Sequence, residues 1–169
     1  MFETIENYAR RIDHRPLIRF IAGSQALHDI LGIRTRDVLY DCNSGELRAS
    51  LEILPIHQGT AYGENSIMYG IIIAALADMA TGAAVYLHAG ADRVVTHKET
   101  RIRYIRHVPI LAGSRLFIEI NVSEIRNRLK AHYCTGTVYQ EHSGVVQETA
   151  RVWAKIPSML ERTFDRLLR

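Results

Sequence analysis

Residues 66–91 read SIMYGIIIAALADMATGAAVYLHAGA, and this stretch decides the architecture. Between Met68 and His88 it is apolar on nearly every side, with Asp78 as its one charged residue. Length alone would suit a membrane span. An acid in mid-segment, frequent small residues and flanks that alternate like a soluble sheet argue instead for a helix enclosed by protein. Gly70, Ala74, Ala75, Ala77, Ala80, Gly82, Ala83 and Ala84 allow neighbouring strands to approach closely. Asn65 or Ser66 is the expected cap, and Ala89-Gly90-Ala91 the expected end.

The periodicity changes on both sides of this helix. Upstream, Arg34–Tyr40 is a candidate strand and Asp41–Gly45 supplies turn chemistry. From Glu46 to Leu54, Leu47, Ala49, Leu51 and Ile53 face one way while Arg48, Ser50 and Glu52 face the other, the mark of a half-buried strand. Pro55 through Asn65 reads as a loop. Downstream, four strands are expected. They are Arg93–Arg106, Arg115–Ile125, Arg128–Glu141 and Val145–Ile156, the last two joined by a tight turn at His142-Ser143-Gly144. Phe2 to Leu31 reads as helix broken at Pro16, with Ser24 capping its second part and Gly32 closing it. Pro157 is expected to end the last strand, and Ser158 to cap a short C-terminal helix. The order is helix, two strands, buried helix, four strands: an α+β class. The divisions expected are a helical extension over 1–31, a main domain over 32–157 and a terminal helix over 158–169.

Composition narrows the function. The 169 residues carry 47% hydrophobic and 23% charged residues and a net charge of +3, ordinary values for one folded domain. Arg far outnumbers Lys, which suits oxyanion recognition. The Arg residues do not gather into an aromatic-interleaved run, so nucleic acid is not an expected partner, and neither is a membrane. Cys42 and Cys134 stand far apart without CxxC spacing, which argues against a disulfide framework or a zinc site and for a reducing, cytoplasmic compartment.

Three stretches resemble one family. Leu76-Ala77-Asp78-Met79-Ala80-Thr81-Gly82-Ala83-Ala84 is similar to the L-x-D-x-A-x-G-x-A helix motif of the hotdog acyl-CoA thioesterases of the phenylacetyl-CoA-pathway type. Arg101–Arg106 with Pro109 and Gly113 resembles that family's strand ending in Y-x-R-P-x-x-G. Gly59-Thr60-Ala61-Tyr62-Gly63 resembles its G-T-x-H-G turn. The resemblance covers roughly Leu31 to Ile156. It implies a hotdog fold, in which an antiparallel sheet of about six strands wraps the long helix. It also implies a homo-oligomer, a dimer or a dimer of dimers, with each site assembled from two subunits. The family's His-Gly-Gly is missing. Tyr69-Gly70 sits at the family's distance from Asp78, whereas Tyr62-Gly63 matches the turn, and the two registers exclude each other.

Thioester hydrolysis needs a base or nucleophile beside the carbonyl carbon and donors where the oxyanion forms. Asp78 is the candidate base, expected to be desolvated among apolar neighbours so that its basicity rises. Gly70 or Gly63, with a backbone N–H at the helix start, is the candidate oxyanion donor. The family's hydroxyl on the following strand falls by spacing at Thr96, with His97 beside it on the opposite face. Tyr69, Asn65 and His57 are candidates around the substrate, with Glu64 an alternative carboxylate. Arg101 and Arg103, sharing a strand face, could meet the phosphates of CoA. No metal and no redox cofactor is implied, CoA being part of the substrate. Two rivals stand beside the hydrolase: a binding or sensing module for acyl-CoA, and a dehydratase that would pair His57 with Asp78 or Glu64.

Overall fold

In the computed structural model, residues 1–32, 37–62, 65–68, 70–89, 92–124, 131–160, 163 and 166 are described. The chain opens with β1 (Phe2–Thr4), α1 (Ile5–Arg11) and α2 (Arg15–Leu31), followed by β2 (Val38–Asp41) and β3 (Glu46–Glu52). A single 3-10 turn, Pro55–His57, leads to the hairpin β4 (Gln58–Tyr62) and β5 (Asn65–Met68). Then comes α3 (Gly70–Ala89), and after it β6 (Arg93–Val95), β7 (Glu99–Tyr104), β8 (Arg115–Glu124), β9 (Ala131–His142) and β10 (Val145–Leu160).

The main sheet is antiparallel in the order β1-β2-β3-β8-β9-β10, and β6 and β7 both pair with β10. Its registers align apolar rows that face α3. One row runs Val38, Ala49, Ile118, Val138, Ala150, and the next runs Tyr40, Leu47, Ile120, Gly136, Val152, Ile102. Each of these residues except Gly136 and Ile102 is buried. The sheet curls around α3, as the resemblance implies. From Ile72 to Tyr86 the helix is buried or half-buried at every position but one. By length and composition α3 could cross a membrane, but its apolar surface is turned inward onto this sheet.

Several expectations are corrected. The helical break falls at Ile12–His14, and Pro16 sits in the first turn of α2, where a missing N–H costs nothing. Ser24 is therefore inside α2 rather than at a cap, while Gly32 does follow the helix with φ +69°. The expected loop over 55–65 holds the β4–β5 hairpin, and Asn65 and Ser66 belong to β5 rather than to a helix cap. The long strand over 93–106 is two strands, because the chain leaves regular geometry at 96–98. Pro157 does not end β10. Its carbonyl accepts the Thr96 N–H (3.2 Å), so the strand passes through it to Leu160. Ser158 lies in that strand, its hydroxyl 3.2 Å from His132 Nε2. The start of the strand expected over 34–40 and most of the C-terminal helix expected after 158 lie outside the described residues. The turn at Ser143-Gly144 is present, with φ of +51° and +77°.

Buried His14 ties the N-terminal helices to the core. Its Nδ1 accepts the Leu17 N–H (3.3 Å), so the ring proton sits on Nε2, which donates to Tyr86 O near the end of α3 (2.7 Å). Leucine at this position fills the space but removes both hydrogen bonds of the imidazole, and with them its tie between α2 and α3. We expect His14→Leu to lower unfolding free energy in urea by about 1–3 kcal/mol, and an unchanged midpoint would show the link to be dispensable.

Candidate functional site

The exposed position in the central span of α3, between Ile72 and Tyr86, is Asp78, whose side chain is 61% exposed in the single chain. The expected desolvation is therefore not supplied by one chain. Turning the carboxylate outward is the economical solution, because an unpaired charge in an apolar interior costs several kcal/mol. Thr81 and Gly82 lie three and four residues further, on the same helix face. The link between β6 and β7 brings His97 across this face. Its Nδ1 is 3.3 Å from Asp78 Oδ1, and its Nε2 is 2.9 Å from Thr81 Oγ1. Glycine at 82 is what permits this approach. A Cβ there would stand 3.1 Å from the His97 ring and 3.5 Å from Phe20.

Thr81 is fully buried, and its hydroxyl is also 2.8 Å from Ala77 O. Below it lies Cys134, whose thiol burial pushes up to about 12, so it is inert. Burial likewise pushes the His97 imidazole below its ordinary value of 6.5, and the Asp78 charge opposes this only in part.

A second feature lies at the start of α3. The segment 104–108 and β5 flank it, joined by Met68 N–H to Val108 O (2.9 Å) and Ile110 N–H to Ser66 O (2.8 Å). Between them is a groove of about 570 Å³ lined by Ile67, Gly70, Ile71, Tyr104, Arg106 and His107 among others. Ile71 and Tyr104 are exposed in it. The Tyr104 hydroxyl donates to Gly70 O (3.0 Å) and lies over the bare Cα, where a Cβ would be 3.1 Å away. The first N–H groups of α3 have no partner within the helix and carry its positive dipole end.

The family model described as "Thioesterase superfamily" matches residues 65–146, the stretch that holds α3, Asp78 and His97. The fold is a hotdog, and this stretch is similar to the thioesterase superfamily. Solved structures agree on the fold. A thioesterase family protein from Silicibacter pomeroyi is 17% identical with TM-score 0.68, over 87% of this chain and 98% of that one. A phenylacetic acid degradation protein from Thermus thermophilus is 21% identical with TM-score 0.55, over 78% and 97%. An acyl-CoA hydrolase from Agrobacterium tumefaciens is 18% identical with TM-score 0.57, over 68% and 43%. No curated protein matches the chain in sequence.

Within this hotdog domain the expected site residues fall into separate groups. Asp78 and His97 are together. Thr96 is exposed, and its N–H is used by β10. Gly70 is at the helix start, eight residues before Asp78, which is about 12 Å along the axis at 1.5 Å per residue. His57 is fully buried, with Nδ1 accepting the Leu54 N–H (3.1 Å), away from any surface that a substrate reaches. Asn65 pairs with Tyr62 in the hairpin, and Tyr69, Gly63 and Glu64 lie outside the described residues. Arg101 and Arg103 do share the outward face of β7, with Arg101 on Glu99 (2.6 Å) and over the Trp153 ring. Thr81 was missed, although its spacing of three from Asp78 on a helix was signal enough.

The His97 shift has a consequence for stability. The unfolded chain takes up a proton below about 6.5, while the folded chain resists it. Stability therefore falls as pH drops from that value toward the lowered one. We expect a lower melting temperature at pH 5 than at pH 7.5, with that component missing from His97→Gln. An equal pH dependence in the variant would assign it to other groups.

Proposed function

We propose that this protein hydrolyses an acyl-CoA thioester to the free acid and CoA, with Asp78 as the base. The observation that carries the reading is that α3 exposes a carboxylate at the one position of its central span that is open to water. Water held by Asp78 attacks the thioester carbonyl carbon and passes a proton to the carboxylate. The oxyanion is held by an N–H at the start of α3, where Gly70 keeps the approach narrow but open. Collapse of the tetrahedral intermediate expels the CoA thiolate, which recovers the proton from Asp78. Exposed Arg103 and Arg106 are suited to phosphate groups.

Base and donor are about 12 Å apart on one helix, too far to serve a single carbonyl. The reading therefore includes a homodimer in which one subunit gives Asp78 and its partner gives the helix start. Support comes from the sheet, since β7 pairs only with β10 among the described residues and its other edge is free for a second copy.

A second reading is favoured by the imidazole beside Asp78. Such a pair suits hydration or dehydration across a carbon–carbon double bond, with His97 in place of the His57 first considered.

A panel of acyl-CoAs with a thiol reagent separates these readings. We expect free CoA to be released, and Asp78→Asn to lower turnover at least about a hundredfold, the loss expected for a general base. Double-bond chemistry without free thiol would replace the hydrolase reading. A melting temperature raised by CoA without any turnover would leave a binding module. The two-subunit site has its own test. Proline at the first helical position removes the N–H with little cost to the helix, so Gly70→Pro should be inactive alone. Mixed after co-refolding with Asp78→Asn, it should regain activity, because the mixed dimer holds one intact site. Failure to complement would place the whole site in one chain.

A further inference from the structure

We propose that Thr81 and His97 form a positioning line for Asp78, in which the Thr81 hydroxyl donates to His97 Nε2 and Nδ1–H faces the Asp78 carboxylate. This deepens the hydrolase reading and rests on it for its kinetic part.

The hydroxyl proton of Thr81 has three acceptors within reach, Ala77 O at 2.8 Å, His97 Nε2 at 2.9 Å and Asp78 O at 3.2 Å. If it goes to either backbone carbonyl, then Nε2 must carry a proton to donate to Thr81. A neutral ring would then turn the Nδ1 lone pair toward the Asp78 carboxylate at 3.3 Å, an unfavourable contact. Only an imidazolium relieves that conflict, and burial disfavours the imidazolium. If the hydroxyl proton goes to Nε2, the neutral ring satisfies both neighbours. Thr81 thus fixes which ring nitrogen holds the proton, a role that needs no contact with substrate, and it is fully buried. The 3.3 Å contact is of the kind that tightens when substrate closes a site.

Asp78 has need of such a partner. Among the described residues its carboxylate meets no other cation or donor, and an exposed carboxylate otherwise rotates freely. The ring is packed against α3 at Asp78, Thr81 and Gly82, with Phe20 of α2 on the same surface. The charge acting on the ring is that of Asp78. Neighbouring Lys98 is exposed, and Lys155 of β10 places its ammonium over Tyr133. Protonation of His97 would push the Thr81 hydroxyl back to Ala77 O and convert the positioned base into half of an ion pair. The acid side of the rate profile then belongs to His97.

Nitrogen–proton correlation NMR of the imidazoles tests the line without any substrate, with the His97 signal assigned by its loss in His97→Asn. We expect the Nδ1–H tautomer in the wild type, and loss of that preference in Thr81→Val but not in Thr81→Ser. An Nε2–H ring, or a Thr81→Val ring like the wild type, overturns the proposal. Kinetics supply the second readout. His97→Asn keeps a donor at the Nδ1 position without a titrating ring. At pH 7.5 its kcat should exceed that of His97→Leu by about threefold or more, while the acid limb moves to lower pH. His97→Leu and Thr81→Val should lower kcat by about tenfold or more with KM within about twofold. An unmoved acid limb in His97→Asn, with Asp78→Asn still inactive, sinks the positioning line and leaves the hydrolase reading standing. Absence of thioester cleavage in the wild type sinks the hydrolase reading, and the tautomer measurement then decides the line alone.

Discussion

A twenty-residue helix enclosed by a curled sheet is the constraint from which the rest of this molecule follows. Such a helix can be covered closely only if its surface is smooth, and the alanines and glycines along α3 make it so. Apolar rows from β2, β3, β7, β8, β9 and β10 then reach it in register. A charged group on the central span of this helix must find a gap in the cover or be neutralised. Asp78 occupies the gap.

The same gap explains the neighbouring chemistry. Because α3 lacks a Cβ at Gly82, the segment between β6 and β7 can lay His97 directly on the helix. The break in that strand pair sets the ring at this point, while the N–H groups of Thr96 and Lys98 remain bonded to β10 carbonyls. Irregular backbone is thus held firmly on one side and free to aim a side chain on the other. At the opposite end of α3 the groove by Gly70 is built by different segments, β5 and 104–108, and nothing in one chain brings the two features together.

Much of the architecture was legible in local pattern. Alternation along Glu46–Glu52 and Arg115–Ser123 matched the buried and exposed faces, since a period of two has one interpretation when one face meets a core. Helix boundaries near Pro16 and the role of Pro157 were misread, because proline's effect depends on whether its missing N–H had a partner to lose. The β4–β5 hairpin was read as loop, since Gly59 and Gly63 carry turn signals that short strands do not outweigh. Asp78 and His97 were both found as candidates, but their contact was not, and His57 was placed near a substrate when it is a core residue.

The residues themselves determined that a long smooth helix with one acid would be enclosed by alternating strands. Periodicity and side-chain size are local properties, and the order of elements allows few other arrangements. Only the tertiary structure decided that the acid faces outward and that His97, not His57, stands beside it. It alone placed Thr81 behind the ring. These depend on where a broken strand crosses a helix nineteen residues earlier in the chain, and such a crossing is set by the packing of the whole sheet rather than by any stretch within it.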